Sequence, residues 1–433
     1  YAAGVTYNNL SDSVDKYVRF AQGEKDPYSE VQYAWGFSRS TKQPDWDLKS
    51  PPDEASLQTL QSAGCSCHDP KFPDRGKTRL VRIPSTGRNL KFTVWMQPKK
   101  APVVFINPGL GSHRLTDLVL ALAESAYQRG FSVVSISSTH NYEFMENASS
   151  TALPSYAPVD AHDVHVALTE ISRRLEAMFP GRWGSKALLG YSMGAFQTLF
   201  IAGTAGTNQE SLLQFDRYLA IDTPVRLLHG VAQLDKFYQA PLTWPASNRT
   251  ARLENTFLKV AALTQASRPT NAPPPFEGVE SKFLIGLNFR LILRDIIYSS
   301  QQRTNQRVLV QPVSSMRRQE LYDEILQYSY RSYFEKFLIP YYLTRGVDLR
   351  TLEALQKASN LRTYAESLKA NQKVRVIVNR NDILLDPEDL QWLETTFGSQ
   401  RLTVFDKGGH LGNLCLPDVQ KTILGALDGL GGK

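Results

Sequence analysis

Apolar residues change their spacing repeatedly along this chain. Over residues 9–22 they recur at helical intervals (Leu10, Val14, Tyr17, Val18). Pro, Ser, Asp and Lys then dominate through Pro73, so residues 1–76 read as an N-terminal extension. Strand-like runs follow at 78–83 and 90–95, and the turn residues at 84–88 between them suit a hairpin. From Ala101 the rhythm differs. Residues 101–106 are a continuous apolar run, as in a strand buried on both faces. Helical periodicity at 115–129 leads to a second buried strand at 131–136, and a helix is predicted over 160–178. A short strand at 187–189, a helix from Ala195 and a strand at 218–221 continue the alternation.

Regular alternation of strand and helix predicts an α/β fold, a mostly parallel sheet with helices on both faces. The alternation stops near Pro224. Residues 225–370 have a mainly helical pattern rich in aromatic residues, broken at 268–275 by a proline-rich stretch. The sheet rhythm then resumes with strands at 373–378 and 401–405 and helices at 387–396 and 416–427. A helical block interrupting a parallel sheet before its last two strands predicts an inserted cap. The resulting domain map is 1–76 extension, 77–224 first part of the core, 225–370 cap or lid, and 371–433 second part of the core.

Composition narrows the class. The chain has 433 residues, 42% hydrophobic and 21% charged, enough apolar material for a large core. Its most membrane-like stretch, 283–298, is interrupted by Asn288, Arg290, Arg294 and Asp295, so no transmembrane helix is expected. The net charge of +7 is spread along the chain in pairs such as Arg173-Arg174 and Arg317-Arg318. Nucleic-acid binders concentrate charge on one element, so nucleic acid is not expected as a partner. Attraction to an anionic membrane surface or an acidic substrate stays open. Cys65, Cys67 and Cys415 are too few for a disulfide framework. A local or Cys415-linked disulfide, free thiols, and a metal bound by the Cys-Ser-Cys-His run at 65–68 are the alternatives. The chain opens on Tyr1 rather than Met, from which removal of an upstream segment and an exported, periplasmic or secreted location are expected.

Residues 190–194, Gly-Tyr-Ser-Met-Gly, fit the G-x-S-x-G pattern. Alone the pattern is weak. Here a predicted strand precedes it and a predicted helix follows, and a turn that tight exposes the Ser192 hydroxyl at the sheet's carboxyl edge. The Met193 amide at the helix start then becomes an oxyanion donor. A serine hydroxyl needs a base in contact. Of seven histidines, His410 is best placed, in a glycine-flanked loop just after the last predicted strand. The base needs a carboxylate to hold its tautomer. Asp382 follows the strand at 373–378 on the same edge; Asp222, at the end of the preceding strand, competes for the role, and Asp386 is a third choice. The loop Asn-Pro-Gly-Leu-Gly at 107–111 offers the Leu110 N–H as second oxyanion donor. Gly109, Tyr191 and His140 are candidate substrate contacts, with His140 also second choice as base.

The order Ser192, Asp382, His410, the serine elbow and the glycine-rich loop at 107–111 together resemble the α/β-hydrolase superfamily over residues 78–224 and 371–433. Asn107-Pro108 stands where His-Gly is commoner in that family. The resemblance implies an eight-stranded, mostly parallel sheet and acyl transfer to water through an acyl-enzyme, with no cofactor and no metal. The aromatic run at 328–342 has two readings, the apolar roof of an acyl pocket or the packing of the cap helices. An enclosed site under a large cap points to small-molecule or lipid esters, thioesters included. A peptidase or amidase would use the same triad, and a catalytically silent binding protein of this fold is the rival from another class.

Overall fold

The computed structural model describes residues 53–204, 212–265, 275–313 and 318–431. The helix expected at 9–22 lies outside them, as does most of the proline-rich break at 268–275.

Eight strands form one sheet: β1 (Lys77–Ile83), β2 (Arg88–Trp95), β3 (Ala101–Asn107), β4 (Ser132–Ser135), β5 (Trp183–Tyr191), β6 (Arg217–Ile221), β7 (Val374–Asn379) and β8 (Leu402–Phe405). Their order is β1-β2-β4-β3-β5-β6-β7-β8. Strand β2 runs against both its neighbours, and every other pairing is parallel. All seven residues of β3 are buried, which is why its apolar run is unbroken. Alternate side chains feed two cores. Phe105, Leu188, Ala220 and Val376 face one side; Val104, Leu189, Leu219 and Ile377 face the other.

Helices among the described residues include α1 (Glu54–Gln61), α2 (Asp117–Gln128), α3 (Ala157–Met178), α4 (Met193–Thr204), α5 (Leu227–Tyr238), α6 (Ala246–Gln265), α7 (Gly278–Arg303), α8 (Pro387–Arg401) and α9 (Pro417–Gly425). Helices α3 and α4 cover one face; α2 and α9 cover the other. Helix α4 is buried all round from Met193 to Gly203, as expected of a helix sandwiched between a sheet and other helices. No described helix is long and apolar enough to cross a membrane, the 283–298 stretch of α7 included.

Between β6 and β7 lie α5, α6, α7 and shorter helical segments. The aromatic run at 328–342 follows the packing reading. Tyr330, Tyr333, Phe337 and Tyr342 are buried in the main core cluster. The Tyr333 hydroxyl donates to the Pro154 carbonyl at 2.8 Å, and the rings of Tyr342 and Tyr156 are 4.7 Å apart.

Residues 53–76, read from the sequence as part of an extension, lie against the core. Asp53 caps α1 by accepting from the Ser56 N–H, and its other oxygen pairs with Lys282 of α7. Cys65 is bonded to Cys415 across a separation of 350 residues, and Cys67 is a free, half-buried thiol. Further along, the N–H groups of His68 and Asp69 donate to the Glu124 carboxylate. Phe72 stacks on Trp95 with ring centroids 5.3 Å apart.

Candidate active site

The elbow between β5 and α4 shows why glycine stands on both sides of Ser192. A Cβ on Gly190 would lie 2.2 Å from the Gly194 carbonyl oxygen, and one on Gly194 would lie 2.0 Å from the Asn107 oxygen. Neither position admits a side chain. Ser192 itself sits at φ 54°, a left-handed conformation that costs a non-glycine residue about 1–3 kcal/mol. Its N–H donates to the Ile221 carbonyl at 2.9 Å, which ties the strained turn to β6.

Three elements converge on that hydroxyl. The loop after β8 turns through Gly408 and Gly409, both at positive φ, and brings His410 back over the sheet edge. The His410 Nε2 lies 2.8 Å from Ser192 Oγ, and its Nδ1 lies 2.8 Å from Asp382 Oδ2. With the Nδ1 proton donated to the carboxylate, Nε2 is the free acceptor that faces the hydroxyl. Asp382 follows β7, and its other oxygen accepts the Leu384 N–H at 2.8 Å. All three residues are buried.

Asp222 is also close, but underneath the loop. Its carboxylate accepts from the N–H of Leu411 at 2.9 Å and from the backbone and side-chain amides of Asn379. Burial, and next the charge of Asp382, raise its pKa to about 7. At His410 burial opposes the imidazolium. The Asp382 carboxylate, through its charge and its hydrogen bond, and then the charge of Asp222 outweigh it, so the pKa rises above the usual 6.5. Asp386 does not reach the imidazole: it caps α8 by accepting from the Asp389 N–H and pairs with Arg226.

A serine elbow on a sheet of this strand order, with β2 alone reversed, decides the architecture. The chain has the α/β-hydrolase fold. No family model matches the chain, and no curated protein matches it. Among solved structures, an esterase of Pyrococcus furiosus is similar at 11% identity and a TM-score of 0.44, covering 91% of this chain and 100% of that one. The thioesterase domain from the curacin biosynthetic pathway is similar at 15% identity and a TM-score of 0.36, covering 81% and 99%. A 2-hydroxy-6-oxo-6-phenylhexa-2,4-dienoate hydrolase from Rhodococcus sp. strain RHA1 gives 14% and 0.39, covering 81% and 98%. Likenesses this distant carry nothing about substrate.

In this α/β-hydrolase fold the space beside Ser192 is a narrow apolar cleft. One wall is Leu110, Met193, Pro224 and Leu384; the other is Leu227, Gly230, Val231 and Leu234 from α5 and Phe289 from α7. Met193 and Leu110 therefore border the same space as the hydroxyl. Gly109 packs on the Tyr191 ring, and an added Cβ there would lie 3.2 Å from Ser192 Cβ. Gly111, at φ 74°, abuts Ile292 of α7, so the loop at 107–111 is braced by that helix. Tyr191 is buried beneath this loop and is not among the cleft residues.

His140 is placed elsewhere. Its imidazole is buried between the hydroxyls of Thr139 and Ser155, each at 2.9 Å, and does not line the cleft. Burial lowers its pKa to about 3, which keeps the ring neutral. The α5 and α7 residues of the cleft were not legible in the sequence, because Gly230, Val231, Leu234 and Phe289 have the ordinary pattern of packed helices. The only signal available was position, between β6 and β7.

Proposed function

We propose that the protein is a serine hydrolase of carboxylic esters. One observation carries the reading: Ser192 Oγ, His410 and Asp382 form a continuous hydrogen-bonded relay, with both links at 2.8 Å, at one end of an apolar cleft. Ser192 attacks the ester carbonyl while His410 Nε2 takes its proton. Asp382 stabilises the imidazolium that results. The backbone N–H groups of Met193 and Leu110 stabilise the oxyanion, and His410 returns the proton to the departing alkoxide. Water, activated by the same imidazole, then releases the acid from the acyl-enzyme.

The cleft supports an apolar acyl group, since of its ten lining residues only Ser192 has a polar side chain. A fluorophosphonate probe and a series of p-nitrophenyl esters of increasing chain length test the reading. Labelling confined to Ser192 and turnover of short and medium chains are the expected results. A folded sample that neither labels nor turns over any ester would instead make it a binding protein. At Gly230 an added Cβ would meet Pro224 and Leu384 only at ordinary contact, 3.7 and 3.9 Å. Gly230→Leu is therefore expected to fold and to shorten the longest ester accepted, lowering kcat/KM for the longer chains by about 10-fold or more. An unchanged chain-length profile would remove this wall from the acyl site.

The pH profile follows from His410. The imidazole acts as a base only when neutral, and its pKa lies above 6.5. The rate should therefore fall on acidification with a midpoint above 6.5. A kcat/KM profile that stays flat to pH 5.5 would remove His410 from the role of base.

A further inference from the structure

We infer that Gln58 and Thr59, on the N-terminal helix α1, are positioning residues for His410, and that the Cys65–Cys415 disulfide secures the segment that carries them. The inference rests on the hydrolase reading for its consequence on rate, but its geometry stands independently. The Thr59 hydroxyl oxygen accepts the His410 backbone N–H at 2.9 Å, across 351 residues of sequence. The same hydroxyl donates to the Ala55 carbonyl at 2.7 Å, which leaves a lone pair directed at His410. At the adjacent position, the Gln58 side-chain amide oxygen accepts both the Gly408 N–H at 2.8 Å and the Asn381 side-chain amide at 2.9 Å. Asn381 in turn accepts the Gly409 N–H at 3.0 Å. Gln58 thus holds together the loop of the base and the loop of the acid, since Asn381 adjoins Asp382.

The fit is close enough to dictate sequence. A Cβ on Gly409 would lie 2.4 Å from the Ala55 oxygen, and one on Gly412 would lie 1.7 Å from the Gln58 oxygen. Only glycine lets α1 approach the histidine loop this far. Four residues after α1 ends, Cys65 is joined to Cys415, five residues after His410. The contact is therefore covalently tied on its C-terminal side in both segments. His410 must hold a hydrogen bond on each ring nitrogen, and a misplacement near 1 Å in such a relay can cost about 100-fold in rate.

Thr59→Val removes the acceptor at nearly constant shape, Thr59→Ser retains it, and Gln58→Ala removes the second link. The full-length chain is measured in each form, together with the double variant Cys65→Ser/Cys415→Ser. The readouts are kcat and KM for a short p-nitrophenyl ester and the downfield proton resonance of the His410 Nδ1–H. Thr59→Val, Gln58→Ala and the double serine variant are expected to lower kcat about 10-fold or more with KM unchanged, and to broaden or shift the resonance. Thr59→Ser is expected to restore both. Wild-type kcat and an unmoved resonance in Thr59→Val and Gln58→Ala would overturn the positioning role. The same result in the double serine variant alone would overturn the part assigned to the disulfide. If the wild type turns over no ester yet the resonance moves as described, the hydrolase reading fails while the positioning role stands.

Discussion

Ser192→Ala is expected to reduce ester turnover by about 10⁴-fold or more, the scale on which loss of a triad nucleophile is felt. KM should change little, because the cleft walls are apolar and the hydroxyl contributes little ground-state binding. The fold should survive. The variant loses one hydrogen bond, to His410 Nε2, worth about 1 kcal/mol, which moves the thermal midpoint by only about 2 °C in a chain of this size. Burst kinetics with a p-nitrophenyl ester would show acyl-enzyme accumulation in the wild type and none in the variant. Turnover left intact in a folded Ser192→Ala protein would sink the proposed mechanism.

The second large effect separates two carboxylates. Asp382→Asn should lower kcat by about 10⁴-fold, since an amide facing Nδ1 favours the wrong tautomer and supplies no charge to the imidazolium. Asp222→Asn should cost far less. Its carboxyl pKa is already raised to about 7, so a neutral side chain resembles a form the wild type populates near neutrality. Its carbonyl can still accept the Leu411 N–H. Removing the Asp222 charge also takes away part of what raises the His410 pKa, so the acid limb of the rate profile should move to lower pH. Equal losses in the two variants would contradict the division of roles drawn from the hydrogen bonds.

Much of the architecture was legible in the pattern of apolar residues. The continuous apolar run at 101–106 and the stretch at 131–136 predict buried strands, and β3 and β4 are buried throughout. Strand β5 is longer than the stretch at 187–189, because Gly184, Ser185 and Lys186 interrupt the apolar run while pairing with β3 continues across a register shift to Trp183. The elbow was readable because its glycines, serine and flanking elements are neighbours in sequence. Other features gave no local signal. The polar residues before Thr78 hide a helix whose contacts include hydrogen bonds to residues hundreds of positions away. The aromatic run at 328–342 left open which side chains face a cavity, and its rings turned inward to the core.

The sequence by itself therefore determined the α/β rhythm, the interruption after β6 and the strained serine turn, because each depends on residues within a few positions of one another. Tertiary structure alone decided which carboxylate meets the imidazole, which cysteine pairs with Cys415, and which residues of α5 and α7 wall the cleft. Those outcomes depend on distances between segments 28 to 350 residues apart, and such distances are settled by how the whole core packs.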